Sequence, residues 1–259
     1  MTKYSKSVGI IVASIFLVPA IAFTSFRFFR EGAVEKMLHP KYQIDTIIQT
    51  GLVKEGLSTL YLSELLKLSV DKATNFFAFD VQEAEASLRA SPVIEEARVE
   101  KREPNAVYID YTIRRPFFLL ADFHNIAMDE KGHTFPLTPY FPPVKLPELY
   151  LGLTELPPQV TGEKFRLALA ILSAIERLRI PMTTLKWIDV SNAFHQSYGK
   201  KETVLIFVTN STRHFLRLHG RDFAKGLENY LLIRSELQKE GGDRVIDLRI
   251  PDLAFFSES

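Results

Sequence analysis

Val8 to Phe26 is a run of 19 residues, VGIIVASIFLVPAIAFTSF, without a single charged side chain. As a helix it would be about 28 Å long, close to the roughly 30 Å hydrocarbon core of a bilayer. No other feature constrains the fold as strongly, because such a run commits the rest of the chain to a membrane or to export through one. Lys3 and Lys6 precede it, and Arg27 and Arg30 come after it. Positive charge on both flanks orients it only weakly, and the short basic head favours an N-terminus in the cytoplasm.

Two main readings share these residues; a third, a buried core helix, is disfavoured by their position at the extreme N-terminus. In the first, residues 1–7 are a cytoplasmic head and 8–26 an uncleaved single-pass anchor in the cytoplasmic (inner) membrane. In the second, Lys3 and Lys6 open a signal peptide with an apolar stretch from Val8 to Val18. Pro19 then breaks its helix, and Ala20-Ile21-Ala22 supplies a small-x-small cleavage pattern. The apolar run continues to Phe26, ahead of two arginines, and this favours the anchor. Either way, residues from about 37 onward lie outside the cytoplasm.

Those residues read as folded protein. The chain is 46% hydrophobic and 24% charged, which separates it from disordered tails. Its formal net charge is +1 with the two signs mixed, so no basic block marks a nucleic-acid partner. The absence of cysteine excludes disulfides, thiolate metal sites and a cysteine nucleophile. The histidines, His39, His124, His133, His195, His214 and His219, show no metal-ligand helical spacing. His214 and His219 would face opposite sides of one strand. There is no nucleophile elbow, phosphate loop or dinucleotide fingerprint. Asp129-Glu130 could serve a glycan hydrolase as an acid/base pair, but Lys131-Gly132 behind it marks a solvated turn. Trp187, beside Leu185 and Ile188, reads as core. The expectation is a protein with no catalytic, cofactor-binding or metal-binding residues, no small-molecule substrate, and other proteins as its partners.

The pattern divides the exported part in two. In residues 37–115, Tyr42 to Thr50 predicts a strand, and Ser58 caps a helix reaching about Leu68. Asp80, three residues before Glu83, caps a second helix with Val81, Ala84 and Leu88 on one face. Ser91-Pro92 ends it. Strands come next around Ala97 and Val99 and from Val107 to Ile113, turned at Pro104-Asn105. This strand-helix-helix-strand-strand order resembles a POTRA domain.

In residues 116–259, strands are predicted over Phe117 to Asp122, Asn125 to Asp129 and around Thr134-Phe135, before a proline-rich ordered coil. A helix runs from Glu163 to Leu178, stopped by Pro181. Strands are then expected at Leu185 to Val190, Thr203 to Thr209 and Thr212 to Leu218, with Asn210-Ser211 as the last tight turn. Asp222 begins a helix that Gly241-Gly242 ends. Val245 to Ile250 is the final strand. Pro251 interrupts it, Leu253 to Phe256 resumes it, and tolerance of proline marks an edge. The fold class is α+β: a transmembrane helix, a small β-α-α-β-β domain, and a β-rich domain of mixed or antiparallel sheet with two helices.

Three segments carry a wider resemblance. They are Asn75-Phe76-Phe77-Ala78-Phe79-Asp80-Val81, then Pro92 to Val99 with Arg102, Pro104 and Asn105, and last Leu216-Arg217-Leu218-His219-Gly220-Arg221-Asp222-Phe223 with Leu227 and Val245-Ile246-Asp247-Leu248-Arg249. Gly132 and Phe135 also fit. Together they resemble the FtsQ/DivIB family of bacterial division proteins along the whole chain, head, anchor, POTRA domain and β domain in order. Two positions depart: Ile113 stands where relatives often carry glutamate before the proline here numbered 116, and Ile250-Pro251 stands where an aromatic residue often comes next. The resemblance implies a non-catalytic divisome scaffold at the septum. Such a protein would hold FtsB-like and FtsL-like proteins and help recruit and regulate septal peptidoglycan synthesis, its partner adding along the last strands.

The residues support that placement. Leu253, Ala254, Phe255 and Phe256 lie near the C-terminus, where a solvated tail would be polar, and an apolar edge strand invites association unless another chain covers it. The expected partner-binding residues are Leu248, Arg249, Ile250, Leu253, Ala254, Phe255 and Phe256. The alternative is that Phe255 and Phe256 fold back into the core of their own domain. Two other functions stay open: a POTRA-bearing envelope secretion or assembly adaptor and, more weakly, a cell-wall glycan hydrolase.

Overall fold

The computed structural model describes residues 17–28, 30, 35–50, 56–69, 71, 73–209, 212–220 and 222–258. Residues 17–28 are helical and exposed, whereas residues 8–16 of the expected anchor lie outside the described residues. Among the described residues, no helix is long and apolar enough to cross a membrane. The chain forms two compact units, Met1–Thr112 and Ile113–Ser259.

The first unit runs β1 (Thr46–Gln49), α1 (Thr59–Leu65), α2 (Val81–Arg89), β2 (Ile94–Arg102) and β3 (Ala106–Ile113), with sheet order β1-β3-β2. Polar caps set both helix starts. Ser58 accepts the N–H of Tyr61, and Asp80 accepts those of Gln82 and Glu83. Leu62, Leu88, Val93, Ile94, Val107 and Ile109 are fully enclosed between helices and sheet. The expected strand from Tyr42 shortens because Pro40–Tyr42 forms a 3-10 turn, with His39 Nδ1 accepting the Lys41 N–H. The outer margin of β2 is guarded by α2. Glu85 accepts the Val99 N–H at 3.0 Å, and Arg89 donates to the Ala97 carbonyl at 3.3 and 3.4 Å. Burial works against the Glu85 charge, but the Val99 N–H, the first cause, and the Arg89 guanidinium hold its pKa below the ordinary value.

The second unit contains β4 (Phe118–Leu120), β5 (Ile126–Met128), β6 (Thr134–Pro136), β7 (Glu148–Tyr150), α3 (Glu163–Arg177), β8 (Leu185–Asp189), β9 (Thr203–Thr209), β10 (Thr212–Leu218), α4 (Phe223–Glu240), β11 (Arg244–Asp247) and β12 (Phe255–Glu258). They make one mixed nine-stranded sheet in the order β12-β11-β10-β9-β8-β7-β4-β5-β6. The pairs β4–β7, β7–β8 and β10–β11 are parallel. Alternate residues of the strands, among them Leu149, Ile188, Leu205, Phe207, Leu216 and Ile246, meet Phe165, Ala168, Ile171 and Ile175 of α3 and Leu227 and Tyr230 of α4 in one core.

Several expectations change. β7 lies in the coil between prolines and completes the middle of the sheet, with Leu149 fully buried. The Asp129 turn is solvated only at Glu130 and Lys131: Asp129 is 7% exposed and accepts the N–H groups of Lys131 and His133 and the guanidinium of Arg114. A buried carboxylate pinned by these donors is a structural anchor for the turn, while Glu130 is exposed. Trp187 is only half buried and stacks on Tyr150 with 6.1 Å between ring centroids. The Asn210-Ser211 turn lies outside the described residues. Beyond Pro251 the chain does not resume its strand. It reverses, with Asp252 at φ 62°, and β12 returns antiparallel to β11.

Candidate partner-binding margin

The last hairpin forms one margin of the nine-stranded sheet. β11 is held in place by the parallel ladder to β10, which continues past its end where Leu248 donates its N–H to the Arg217 carbonyl at 2.9 Å. The Leu248 side chain is 5% exposed and belongs to the core, not the surface. Gly226 permits this close packing: a Cβ there would sit 2.6 Å from Leu218 Cδ2 and 3.7 Å from Leu248 Cβ. Leu248 therefore supports the margin from beneath.

Arg249 is tied to its own domain. It donates to Asp247 from Nε at 2.9 Å and from Nη2 at 2.6 Å, to the Gly199 carbonyl at 3.1 Å, and lies 3.5 Å from Glu202. Arg217 pairs with the same two acids, at 2.6 Å to Glu202 and 3.4 Å to Asp247. Burial is the largest influence on the Asp247 carboxyl and opposes its charge. The Arg249 hydrogen bonds and the two guanidinium charges outweigh burial, so its pKa falls below the ordinary range. The hydrogen bond to Asp247 is the first cause that pushes the Arg249 pKa up. This two-plus-two network fixes the main chain as it leaves β11. Glu202 escapes a reading of the sequence, and Arg217 enters it only as part of the family-like segment, because nothing local signals that a loop before β9 meets the end of β11.

The remaining candidates are at the surface. Ile250 and Leu253 are each 50% exposed, Phe255 56% and Phe256 48%. Ala254 is half buried and packs against the core. The two phenylalanines face opposite ways. Phe256 pairs across the ladder with the buried Ile246 and shares the helix-covered face, while Phe255 pairs with Asp247 and takes the other face.

The pairing also shows which main-chain groups remain open. Leu248 turns its N–H toward β10, so by alternation Val245 and Asp247 turn theirs toward β12. Their partners Ser257 and Phe255 thus point inward, and the peptide groups of Ala254, Phe256 and Glu258 point outward from the sheet. No strand of the described residues lies beyond β12.

Among the described residues, no group of three or more His, Asp or Glu side chains is placed to hold a metal ion. His214 and Tyr230 form a buried side-chain pair away from the margin, packed under α4 rather than lining an open cleft.

Comparison with known proteins agrees with the architecture. Residues 55–110, which span α1, α2, β2 and most of β3, match the family described as "POTRA domain, FtsQ-type". The protein "Cell division protein FtsQ" of Myxococcus fulvus is 27% identical over 207 residues, covering 78% of this chain and 67% of that protein. These two likenesses support the resemblance to the FtsQ/DivIB family. An alignment of 207 residues is longer than the whole first unit, which ends at Thr112, so the likeness continues into the sheet that carries the margin.

Proposed function

We propose that this FtsQ-type chain is a non-catalytic scaffold of bacterial cell division. The apolar segment at residues 8–26 anchors it in the inner membrane, with the two folded units outside the cytoplasm. The β12 margin receives another division protein, FtsB-like or FtsL-like, by strand addition, and this holds the partner where septal peptidoglycan synthesis is recruited and regulated. One observation supports this reading above the others. Among the described residues, no strand pairs with the outer ladder of the last strand at Ala254, Phe256 and Glu258, which is flanked by the exposed Ile250, Leu253, Phe255 and Phe256. Backbone bonds supply the affinity of such an addition, and alternate side chains supply its selectivity. An apolar edge of this kind is also an aggregation hazard when no partner covers it.

The test is a pull-down of an FtsB-like chain by Ile250→Glu and Leu253→Glu. Both side chains are half exposed, so unfolding free energies within about 0.5 kcal/mol of the parent are expected. Capture should fall at least tenfold, since a buried charge in the interface costs more than about 1.4 kcal/mol. Undiminished capture would sink the margin. A fluorescent fusion spread evenly over the envelope, with normal division after depletion, would sink the scaffold.

A further inference from the structure

We infer that the first unit carries a second contact surface, a lysine-and-aromatic face that rests on the anionic phospholipid headgroups of the membrane in which the chain is anchored. This rests on the proposed anchor at residues 8–26. Residues 35–38 form a helical turn held against the unit by Asn75, whose Nδ2 donates to the carbonyls of Lys36 (3.2 Å) and Met37 (2.9 Å). The Asn75 Oδ1 accepts the Phe77 N–H at 2.9 Å, and the Phe76 N–H donates to the Tyr42 carbonyl at 2.7 Å. Two segments far apart in sequence are thus fixed as one surface.

That surface combines cations with apolar side chains. Tyr42 and Phe77 meet edge to face at 5.0 Å, and Phe77 meets Phe76 at 5.4 Å. Lys36 lies over Phe77 and Lys41 over Tyr42, each 5.8 Å from the ring centroid, and Lys101 lies over Phe76 at 5.5 Å. Among the described residues, no carboxylate lies within ion-pair distance of these three lysines. Beside them Met37 is 51% exposed, Leu38 75% and Phe77 38%. Apolar side chains that can enter the headgroup boundary, flanked by uncompensated lysines, match a negatively charged bilayer surface. The turn is also within reach of one. Nine residues lie between Phe26 and Lys36, a tether of at most about 35 Å over ten residue steps. An acidic protein would satisfy the lysines but would not explain why Met37 and Leu38 stand out on the turn nearest the anchor.

The experiment uses the full chain in lipid nanodiscs, comparing phosphatidylcholine alone with discs holding about 30% phosphatidylglycerol. Amides of residues 36–39, 41, 42 and 76–78 should exchange roughly tenfold more slowly in the anionic discs, and Lys36→Glu with Lys41→Glu should erase the difference. Exchange at Val107 and Ile109 in the core should stay unchanged in both, which shows that the variant is folded. Equal exchange in the two lipids would overturn the inference, as would protection that appears only when a partner protein is added. Loss of the chain from floated vesicles after carbonate washing would instead overturn the anchor. In that case the lipid contact is read from the same exchange comparison with vesicles added to the unanchored chain.

Discussion

The two margins of the nine-stranded sheet are treated in opposite ways. At the β6 end the chain covers itself. Thr134 donates its N–H to the Pro158 carbonyl at 3.1 Å and its hydroxyl to that of Pro157 at 2.5 Å, and Val160 donates to Gly132 at 2.8 Å. Gln159 donates a hydrogen bond from its side-chain Nε2 to the Lys131 carbonyl, and Pro136 at the end of β6 has no N–H to offer. In the first unit, Glu85 and Arg89 guard β2 in the same sense with side chains. At the β12 end no described residue gives such cover, and large apolar side chains are exposed there. Sheets ordinarily blunt their margins with charge, proline or a covering segment. The fold does so at β6 and β2, whereas no described residue does so at β12.

The largest expected effect separates the two sides of β12 itself. Phe256 turns its N–H outward, so Phe256→Pro removes a donor that only a partner would use, and edge strands accept proline at such a position. The fold should keep its unfolding midpoint while partner affinity falls about a hundredfold or more, through the lost bond, the ring clash and the missing side chain. Phe256→Ala isolates the side-chain part. Phe255→Pro strikes the inward N–H instead and should detach β12 from β11, visible as rapid amide exchange over 244–247. If both prolines behave alike, the alternation assigned to β12 is wrong, and with it the ladder said to be open.

How much of this can be read from the sequence varies with the kind of signal. β9 carries an unbroken apolar run from Val204 to Val208 and β10 a mixed apolar run, and their expected ends coincide with the observed Thr203–Thr209 and Thr212–Leu218. α3 and the glycine end of α4 are equally plain. β7 is hidden because three residues between prolines carry no period, and only the parallel neighbours β4 and β8 make them a strand. The final hairpin reads as one interrupted strand because a proline marks a break without saying whether the chain continues or turns back. That ambiguity decides the site as well. Reversal at Asp252 brings Phe255 and Phe256 onto the margin, while the parity of β11 sends Leu248 inward. The Glu202–Arg217–Asp247–Arg249 network joins residues far apart in sequence, and such closures leave no local trace.

The closed margin makes the second prediction. Gly132 has φ 86°, and a Cβ there would stand 2.2 Å from the Val160 carbonyl oxygen, the group beside the covering segment. Gly132→Ala must therefore strain the backbone and push the 157–160 strap off β6, at a cost of roughly 2–3 kcal/mol in urea unfolding. If the strap is what keeps β6 unreactive, this variant should also self-associate at concentrations where the parent does not, as sedimentation would show. Loss of stability without association would mean that Pro136 and the short length of β6 suffice to blunt that side.

The smallest effect concerns pH, and it tests whether the two ends of the sheet are independently stable. His214 in β10 is 2% exposed, bonded at 2.8 Å to the Tyr230 hydroxyl, with no partner for Nε2. Burial lowers its pKa first and the Arg234 charge adds to this, while Asp243 opposes both. Burial likewise raises the Tyr230 phenol to about 12, so Tyr230 stays a neutral partner throughout. The folded pKa of His214 lies below that of the unfolded chain, about 6.5. The stability it contributes is therefore complete above that value, and falls as pH drops through it toward the folded pKa, because the unfolded state takes up the proton first. Between about pH 7 and 5, amide exchange in β10, β11 and β12 should accelerate more than in β4 and β5, and His214→Phe should flatten that dependence. The open margin would then be the softer end of the sheet as acid is added. A uniform response from β4 to β12 would instead show one cooperative unit, in which the state of the margin cannot be separated from that of the whole domain.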